Sequence, residues 1–216
     1  MYIKHIAILA KSAKNLNFCV AGISRTGEWV RPISQDAEIA EAVSHDAMVY
    51  PSEIEPNILD VVEIKFLKTP VNNPFQPENI FYDEEFFWQK VNSTTLEKII
   101  KWRGFDHREK IFYNYDRRVD AGFVQRQDKR ESLLLLPVKN LSIKIVQGNK
   151  HKKIYANFIY NGRKYYKFSV GDIAVRNNFE NHGEGEYFFR ESAVVLFSLT
   201  NPYKDNRCYK IVAQIF

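Results

Sequence analysis

Cysteine is scarce in this chain, and neither of its two cysteines lies in a pattern that binds metal. Cys19 and Cys208 sit within apolar, strand-like runs, away from any CxxC pair or neighbouring histidine. This usage predicts two buried thiols in a reducing compartment. It excludes a zinc-binding module and a secreted domain held together by disulfides.

Long apolar runs are missing as well. No segment approaches the roughly 20 apolar residues of a membrane-spanning helix. The N-terminal stretch MYIKHIAILA lacks the small-residue cleavage site that ends a signal peptide. We therefore expect a cytoplasmic protein with no membrane segment.

The usual catalytic motifs are also missing, since the sequence has no Gly-rich phosphate loop and no nucleophile elbow. One short pattern, Glu63-Ile64-Lys65 after Asp60, has the acid-x-Lys form of a metal-dependent nuclease strand, in which the acid holds the metal. The acidic stretch around His182 is typical of a solvated loop. We predict a protein without catalytic residues, cofactor or metal, and keep a nuclease as a less favoured alternative.

Aromatic residues, by contrast, are abundant: the 216 residues include 16 Phe and 12 Tyr, beside 9 Gly, 8 Pro and 2 Met. This composition predicts a folded, strand-rich protein. Lysine and arginine outnumber the acids by 31 to 26, a net charge of +5. A small basic excess suits a polyanionic partner but is also common without one, so the positions of the charges matter more than their sum.

Residues 3–33 give the clearest fold signal. Apolar runs at 3–10, 18–23 and 28–33 are separated by a polar loop and by a turn at Gly27, which can adopt a positive φ. Both faces of the second hairpin are mostly apolar, which predicts the wall of a tight barrel that is covered on its outside. With Ser24 placed opposite Gly27, Trp29 is expected to lie opposite Gly22.

The next segments continue a barrel pattern. A short helix is expected after residue 33 with Asp36 as its N-cap, and residues 59–67 alternate as a half-buried strand. Three strands, a helix and a strand are the opening of an oligonucleotide/oligosaccharide-binding (OB) barrel, which needs one more strand to close. Residues 132–138 are expected to supply it.

Between these strands lies a predicted helical insertion, at about residues 70–130. Thr94 and Glu97 form a capping box for a helix that ends at Gly104. A second helix is expected over residues 106–115.

The remaining sequence repeats the barrel order. Strands are expected at 141–147, 154–160, 163–170, 192–200 and 207–216, with an Asn161-Gly162 hairpin and a helix slot within 171–191. The predicted fold is therefore mainly β (α+β), with two five-stranded OB-like Greek-key barrels. The first spans residues 1–139 with the helical insertion, and the second spans residues 140–216.

Several stretches together resemble a family of bacterial proteins, the dual OB-fold domain family. They are residues 19–23 (CVAGI), 27–32 (GEWVRP), 59–62 (LDVV), 76–79 (QPEN) and 208–215 (CYKIVAQI). These stretches span nearly the whole chain. The resemblance implies two barrels of the kind that bind nucleic acid, and it implies no catalytic residue.

The candidate binding residues lie where OB barrels bind strands. On the second hairpin we expect Tyr155, Asn157, Lys164 and Tyr166 to face outward, where rings stack on bases beside cations. Phe168 is expected on the same face, and Lys167 on the opposite one. The alternative is that these aromatics pack against the other barrel or the insertion.

Cationic loops are the second group of candidates. Lys11 and Lys14 are expected in the first loop of the first barrel, Lys150, Lys152 and Lys153 in the same loop of the second, and Lys204 and Arg207 in its last loop. Cations there could contact phosphates, although hairpin tips are often charged without function. Trp29 and Arg31 could together hold a base.

The leading hypothesis is a non-catalytic protein that binds single-stranded DNA or RNA through its barrel grooves. The alternative is an adaptor or inhibitor that binds another protein in a bacterial or phage conflict system. A nuclease that uses Glu63 and Lys65 is a third, less favoured possibility.

Overall fold

The chain folds into two compact units, each built around its own barrel. The computed structural model describes residues 1–14, 17–50, 52, 54–148 and 151–216. Unit 1 comprises Met1–Asn73 and Pro77–Gly104, and unit 2 comprises Pro74–Gln76 and Phe105–Phe216. The main boundary therefore lies at residue 104 and not at the expected residue 139.

Unit 1 is a closed, OB-type barrel. Its elements are β1 (Tyr2–Lys14), β2 (Asn17–Ser24), β3 (Trp29–Ile33), α1 (His45–Met48), β4 (Asp60–Phe66), β5 (Asn79–Phe81), β6 (Gln89–Ser93) and α2 (Leu96–Arg103). The strand order is β5-β3-β2-β1-β4-β6, and β5 runs parallel to β3. Backbone bonds from Leu67 to Phe81 and from Asp83 to Lys65 join the end of β4 to β5 and close the barrel.

The closing strand of unit 1 is thus β5, and the assignment of residues 132–138 to that role is wrong. β5 has three residues and follows Pro74 and Pro77. A strand this short shows no period-two pattern, because alternation becomes visible only over about four to eight residues.

The β2–β3 hairpin shows why Gly22 is required. An added Cβ at Gly22 would lie 2.3 Å from the carbonyl oxygen of Ala7, so only glycine permits this approach of β1. Gly22 pairs with Val30, and Ile23 pairs with Trp29. The expected register is therefore wrong by one residue, because the turn is closed by Ser24 pairing with Glu28.

Unit 2 is a second closed barrel. Its elements are β7 (Arg118–Asp120), α3 (Ala121–Gln125), β8 (Leu133–Val146), β9 (Lys153–Tyr160), β10 (Arg163–Val170), α4 (Ile173–Phe179), β11 (Gly185–Leu199) and β12 (Arg207–Ile215). The order is β10-β9-β8-β11-β12, and a parallel pairing of β10 with β12 closes the ring. With α4 between its third and fourth strands, this is the OB order, and the predicted fold class is confirmed.

Residues 132–138 lie mostly within β8, whose 14 residues are longer than the expected strand at 141–147. In sequence, Pro137 and the polar residues Lys139 and Asn140 are typical of a strand end. In the structure Pro137 is exposed, and the register shifts between Lys139 and Ser142, where Asn140 has φ +49°. This bulge lets one strand continue through the break.

The helix predictions are confirmed in part. α2 forms as expected, with Thr95 as its cap and Gly104 at its end. The short helix α1 begins after Ser44 and not after Asp36. Residues 106–115 are not helical, because Asp106 pairs with Leu135 through both its backbone N–H and its carboxylate.

The thiols differ from each other in burial. Cys208 is buried in unit 2, and burial raises its pKa to about 11. Cys19 is only half-buried, so the expectation of two buried thiols holds for Cys208 alone.

One lysine is buried in unit 2. The side chain of Lys210 is 1% exposed, and its ammonium donates to the backbone oxygen of Asn114 at 2.6 Å and to its side-chain oxygen at 2.7 Å. Burial lowers the pKa of Lys210 to about 7. The contact joins β12 to the irregular segment before β7.

Unit 2 should accordingly become more stable as the pH rises above 7. The unfolded chain retains the lysine proton up to about pH 10, whereas the folded state releases it from about pH 7, so unfolding takes up a proton between these values. From pH 7 to pH 9 this adds about 2 to 3 kcal/mol to the free energy of unfolding. Urea unfolding across this range measures it. Lys210→Met should remove the pH-dependent contribution, and the exposed control Lys204→Met should retain it. An unchanged pH slope in Lys210→Met would contradict the assignment.

Candidate nucleic-acid interface

The β9–β10 hairpin is set by its turn and by one bulge. Asn161 and Gly162 have φ values of +48° and +74°, as a two-residue hairpin turn requires. Phe158 pairs with Tyr165, but after the bulge Ala156 pairs with Phe168. Lys167 has φ +57°, and its backbone N–H donates to the side-chain oxygen of Asn157 at 2.8 Å.

The bulge decides which side chains face outward. Tyr166 is 59% exposed and Lys164 is exposed, whereas Tyr165 is 2% exposed. Phe168 turns into the core and Lys167 turns out to solvent, so the expected faces of these two residues are wrong. The cause is the extra residue, which reverses the alternation beyond it.

The surface around Tyr166 extends over the four neighbouring strands β10, β9, β8 and β11. Directly paired residues on neighbouring strands point to the same face, so the pairing shows which side chains share it. Lys144 pairs with Tyr155, and Phe188 pairs with Ser142, which pairs in turn with Asn157. Phe188 is 72% exposed. We call this surface of unit 2 the outer face, and its rings and cations include Lys144, Lys153, Tyr155, Lys164, Tyr166 and Phe188.

Sequence reasoning missed Lys144 and Phe188. Phe188 falls within residues 171–191, the expected helix slot, but the run of Tyr187, Phe188 and Phe189 is typical of a strand. Lys144 could be placed only with the register between β8 and β9.

One carboxylate lies on the outer face. Glu186 accepts hydrogen bonds from Ser142 and from the side-chain amide of Asn157, the latter at 2.8 Å. These bonds lower the pKa of Glu186. The acid is therefore engaged in joining β8, β9 and β11, beside the lysines and rings of the outer face.

The loop cations of unit 2 do not all belong to this face. Lys150 lies outside the described residues. The Lys152 ammonium donates to two backbone oxygens after α4, those of Glu180 at 3.0 Å and His182 at 2.9 Å. Lys153 is exposed within β9.

The last loop also lies apart from the outer face. Lys204 and Arg207 are exposed. β12 pairs with β7 at Arg207 and with β10 only from Ile211 onward. β7 therefore separates this loop from the outer face, and the structure does not bring the two sets of cations together.

Two of the candidates in unit 1, Lys11 and Arg31, are engaged in internal contacts. Lys11 and Lys14 lie in β1 and not in a loop, and the side chain of Lys14 lies outside the described residues. The Lys11 ammonium lies 2.7 Å from Glu55. Arg31 is buried in an ion pair with Glu78 at 2.8 Å.

Trp29 does have a cation beside its ring, but that cation is not Arg31. The Arg103 guanidinium lies 4.5 Å from the ring centroid. Arg103 belongs to α2, and this helix covers the β2–β3 hairpin. Ile23, which pairs with Trp29, is accordingly only 1% exposed. The expected covering of the barrel wall is therefore present.

The residues of the nuclease alternative lie in separate pairs. Glu63 contacts His5 at 3.1 Å, and Lys65 contacts Asp83 at 2.7 Å. Asp60 is buried, and burial opposes its ionisation. The hydrogen bonds that its carboxylate accepts from Lys90, Ser93 and the backbone of Asn57 nevertheless hold its pKa below the usual range. Within the described part of the chain, no three His, Cys, Asp or Glu side chains are grouped to hold a metal.

Comparisons with known proteins give one match. A family model described as a dual OB-containing domain matches residues 4–215. Searches of curated proteins and of solved structures give no match. Among the described residues, no helix has the length and apolar character needed to cross a membrane.

Arg31 should prove structural and not ligand-binding. Arg31→Ala leaves Glu78 buried without its cation, which should lower the free energy of unfolding by about 3 to 5 kcal/mol. Arg25→Ala on the same hairpin removes an exposed cation and should change it by less than about 0.5 kcal/mol. Denaturant unfolding of both variants measures the difference. Equal stabilities would show that the ion pair does not support the barrel.

Proposed function

The chain belongs to the dual OB-containing domain family, and from this membership and its surface we propose that unit 2 binds single-stranded nucleic acid across its outer face. The observation that carries the proposal is the group of three rings, Tyr155, Tyr166 and Phe188, that share one sheet face with several lysines. The face includes the second and third strands of the barrel, which OB folds use for oligonucleotides. We propose a binding function without catalysis or cofactor, carried out in the cytoplasm.

The proposed roles follow from the chemistry of the side chains. The exposed rings of Tyr166 and Phe188 and the half-buried ring of Tyr155 offer stacking surfaces to unpaired bases. Each stacked base is worth about 1 to 3 kcal/mol, and stacking tolerates any sequence. Lys144, Lys153 and Lys164 offer cations to the phosphates between those bases. Each such contact releases counterions, so affinity should depend strongly on salt.

The sheet holds these groups in place before a ligand arrives. Tyr166 lies at the bulge that Asn157 supports, and Tyr155 is paired on both sides, with Lys144 and with Ser169. Rings on paired strands lose less freedom on binding than rings on loops, which improves affinity.

A second candidate function rests on the same exposed rings. Aromatic side chains surrounded by polar residues are also typical of protein interfaces. An adaptor or inhibitor that binds another protein would use this face as well, but it would not require a match between lysines and phosphates. The dependence of binding on salt separates the two functions.

Loss of the Tyr166 ring should weaken binding and leave folding intact. Tyr166→Ala should lower affinity for a labelled single-stranded oligonucleotide by about 1 to 3 kcal/mol, as measured by fluorescence anisotropy. The matched control is Tyr203→Ala, because Tyr203 is 61% exposed but lies in the last loop, beyond β7. Thermal unfolding of both variants checks the fold. Equal losses of affinity in the two variants would place the ligand elsewhere.

The lysines should set the salt dependence. Lys153→Ala together with Lys164→Ala should make the slope of log affinity against log salt shallower by about 1.4, at about 0.7 for each phosphate contact. Lys204→Ala together with Arg207→Ala should leave the slope unchanged. Titrations with single-stranded DNA and RNA at several salt concentrations measure this, and absence of binding at low salt would overturn the proposal in favour of a protein partner.

A further inference from the structure

Unit 1 contains a cavity that the proposed function does not use. It has a volume of about 370 Å³, within the range of small-molecule sites. Its floor consists of small and branched apolar side chains from three strands and α2, namely Ala7, Ile23, Val61 and Ile99. β6 supplies another wall through Val91, Asn92 and Ser93.

The wall that α2 provides is fixed at both ends. Before the helix, the Thr94 N–H donates to the backbone oxygen of Leu59 at 2.9 Å. In its last turn, Arg103 donates to the backbone oxygen of Gly27 at 3.1 Å and lies against Trp29. The cavity is therefore a built feature of the fold.

The charged residues that line the cavity are all basic. Arg25 and Lys98 are the charged ones, His5 is a third basic side chain, and no carboxylate lies among the lining residues. His5 contacts Glu63 at 3.1 Å. Within the described part of the chain, the side chains of Arg25 and Lys98 have no hydrogen-bond or ion-pair partner. Two unpaired cations beside an apolar floor are complementary to an anion that also has an apolar part.

An exposed indole completes the site. Trp102 is 50% exposed and follows Lys98 by four residues on α2, so both side chains lie on the same side of the helix. Asn92 and Thr94 add polar groups at the rim. A half-exposed indole offers a planar surface on which a heterocyclic base can stack.

We propose that this cavity binds a phosphorylated nucleoside. The base lies against Trp102 above the apolar floor, and the phosphate lies between Arg25 and Lys98. The ligand is either a free mononucleotide or the phosphorylated end of a strand, because both present the same base and phosphate. Every lining residue belongs to unit 1, so the inference does not depend on the outer face of unit 2.

The test uses calorimetric titration of the full chain with adenosine 5′-monophosphate and with adenosine. The monophosphate should bind, and adenosine should bind about tenfold more weakly or worse, because a charge-assisted hydrogen bond contributes about 1.5 to 3 kcal/mol. Lys98→Ala should lower monophosphate affinity by a similar factor. The matched control is Lys101→Ala, an exposed lysine on α2 that does not line the cavity.

A second arm identifies the source of the ligand. The ligand is a strand end if a 5′-phosphorylated dinucleotide binds while the monophosphate and an unphosphorylated dinucleotide do not bind. Lys98→Ala should then abolish binding of the phosphorylated dinucleotide. Trp102→Ala should weaken whichever probe binds.

The inference is overturned if no phosphorylated probe binds, or if Lys98→Ala and Lys101→Ala reduce affinity equally. Circular dichroism of the variants checks that each is folded. Both outcomes are distinct from failure of the proposed function, since Tyr166→Ala should leave monophosphate binding unchanged.

Discussion

Pairing between the third and fifth strands is the constraint on which both barrels depend, and in each barrel a buried polar group supports it. In unit 1 the Arg31–Glu78 ion pair joins β3 to the residue just before β5. In unit 2 the buried carboxylate of Asp172, just after β10, caps α4 and accepts from the side chain of Gln214 and the backbone of Ile215 at the end of β12. An unclosed barrel would expose two strand edges, which are sites of aggregation.

The two barrels share a strand order but not a binding surface. In unit 1 the outside of the second and third strands is covered by α2, which turns that face into hydrophobic core and leaves a cavity beside it. In unit 2 the corresponding strands are open and carry the exposed ring of Tyr166 and the half-buried ring of Tyr155. A repeated fold therefore presents two surfaces of different chemistry: an open sheet face with rings and lysines, and a cavity with an apolar floor beside two cations.

Local signals predicted the parts of this fold that local chemistry controls. The Asn161-Gly162 turn, the capped helix α2 and the alternation of β4 all follow from nearby residues. The closing strand β5 and the irregular segment around Asp106 depend on distant partners, and no short window reveals them. The same limit applies to the candidate site. The outward positions of Tyr155, Lys164 and Tyr166 follow from the alternation of the hairpin and were predictable. The outward turn of Lys167 requires the bulge, and Lys144 and Phe188 require the pairing of β8 with its neighbours.

The side chain of Asn157 has a consequence for how this protein could diversify. Its side-chain oxygen accepts a hydrogen bond from the backbone N–H of Lys167 in the bulge of β10, and its amide nitrogen donates to Glu186 on β11. One side chain thereby fixes the relative positions of strands that carry different rings. A change at residue 157 would alter the spacing between the Tyr166 and Phe188 rings while both rings remained present. Under the proposed function, ligand preference could therefore evolve through a residue that carries no ring.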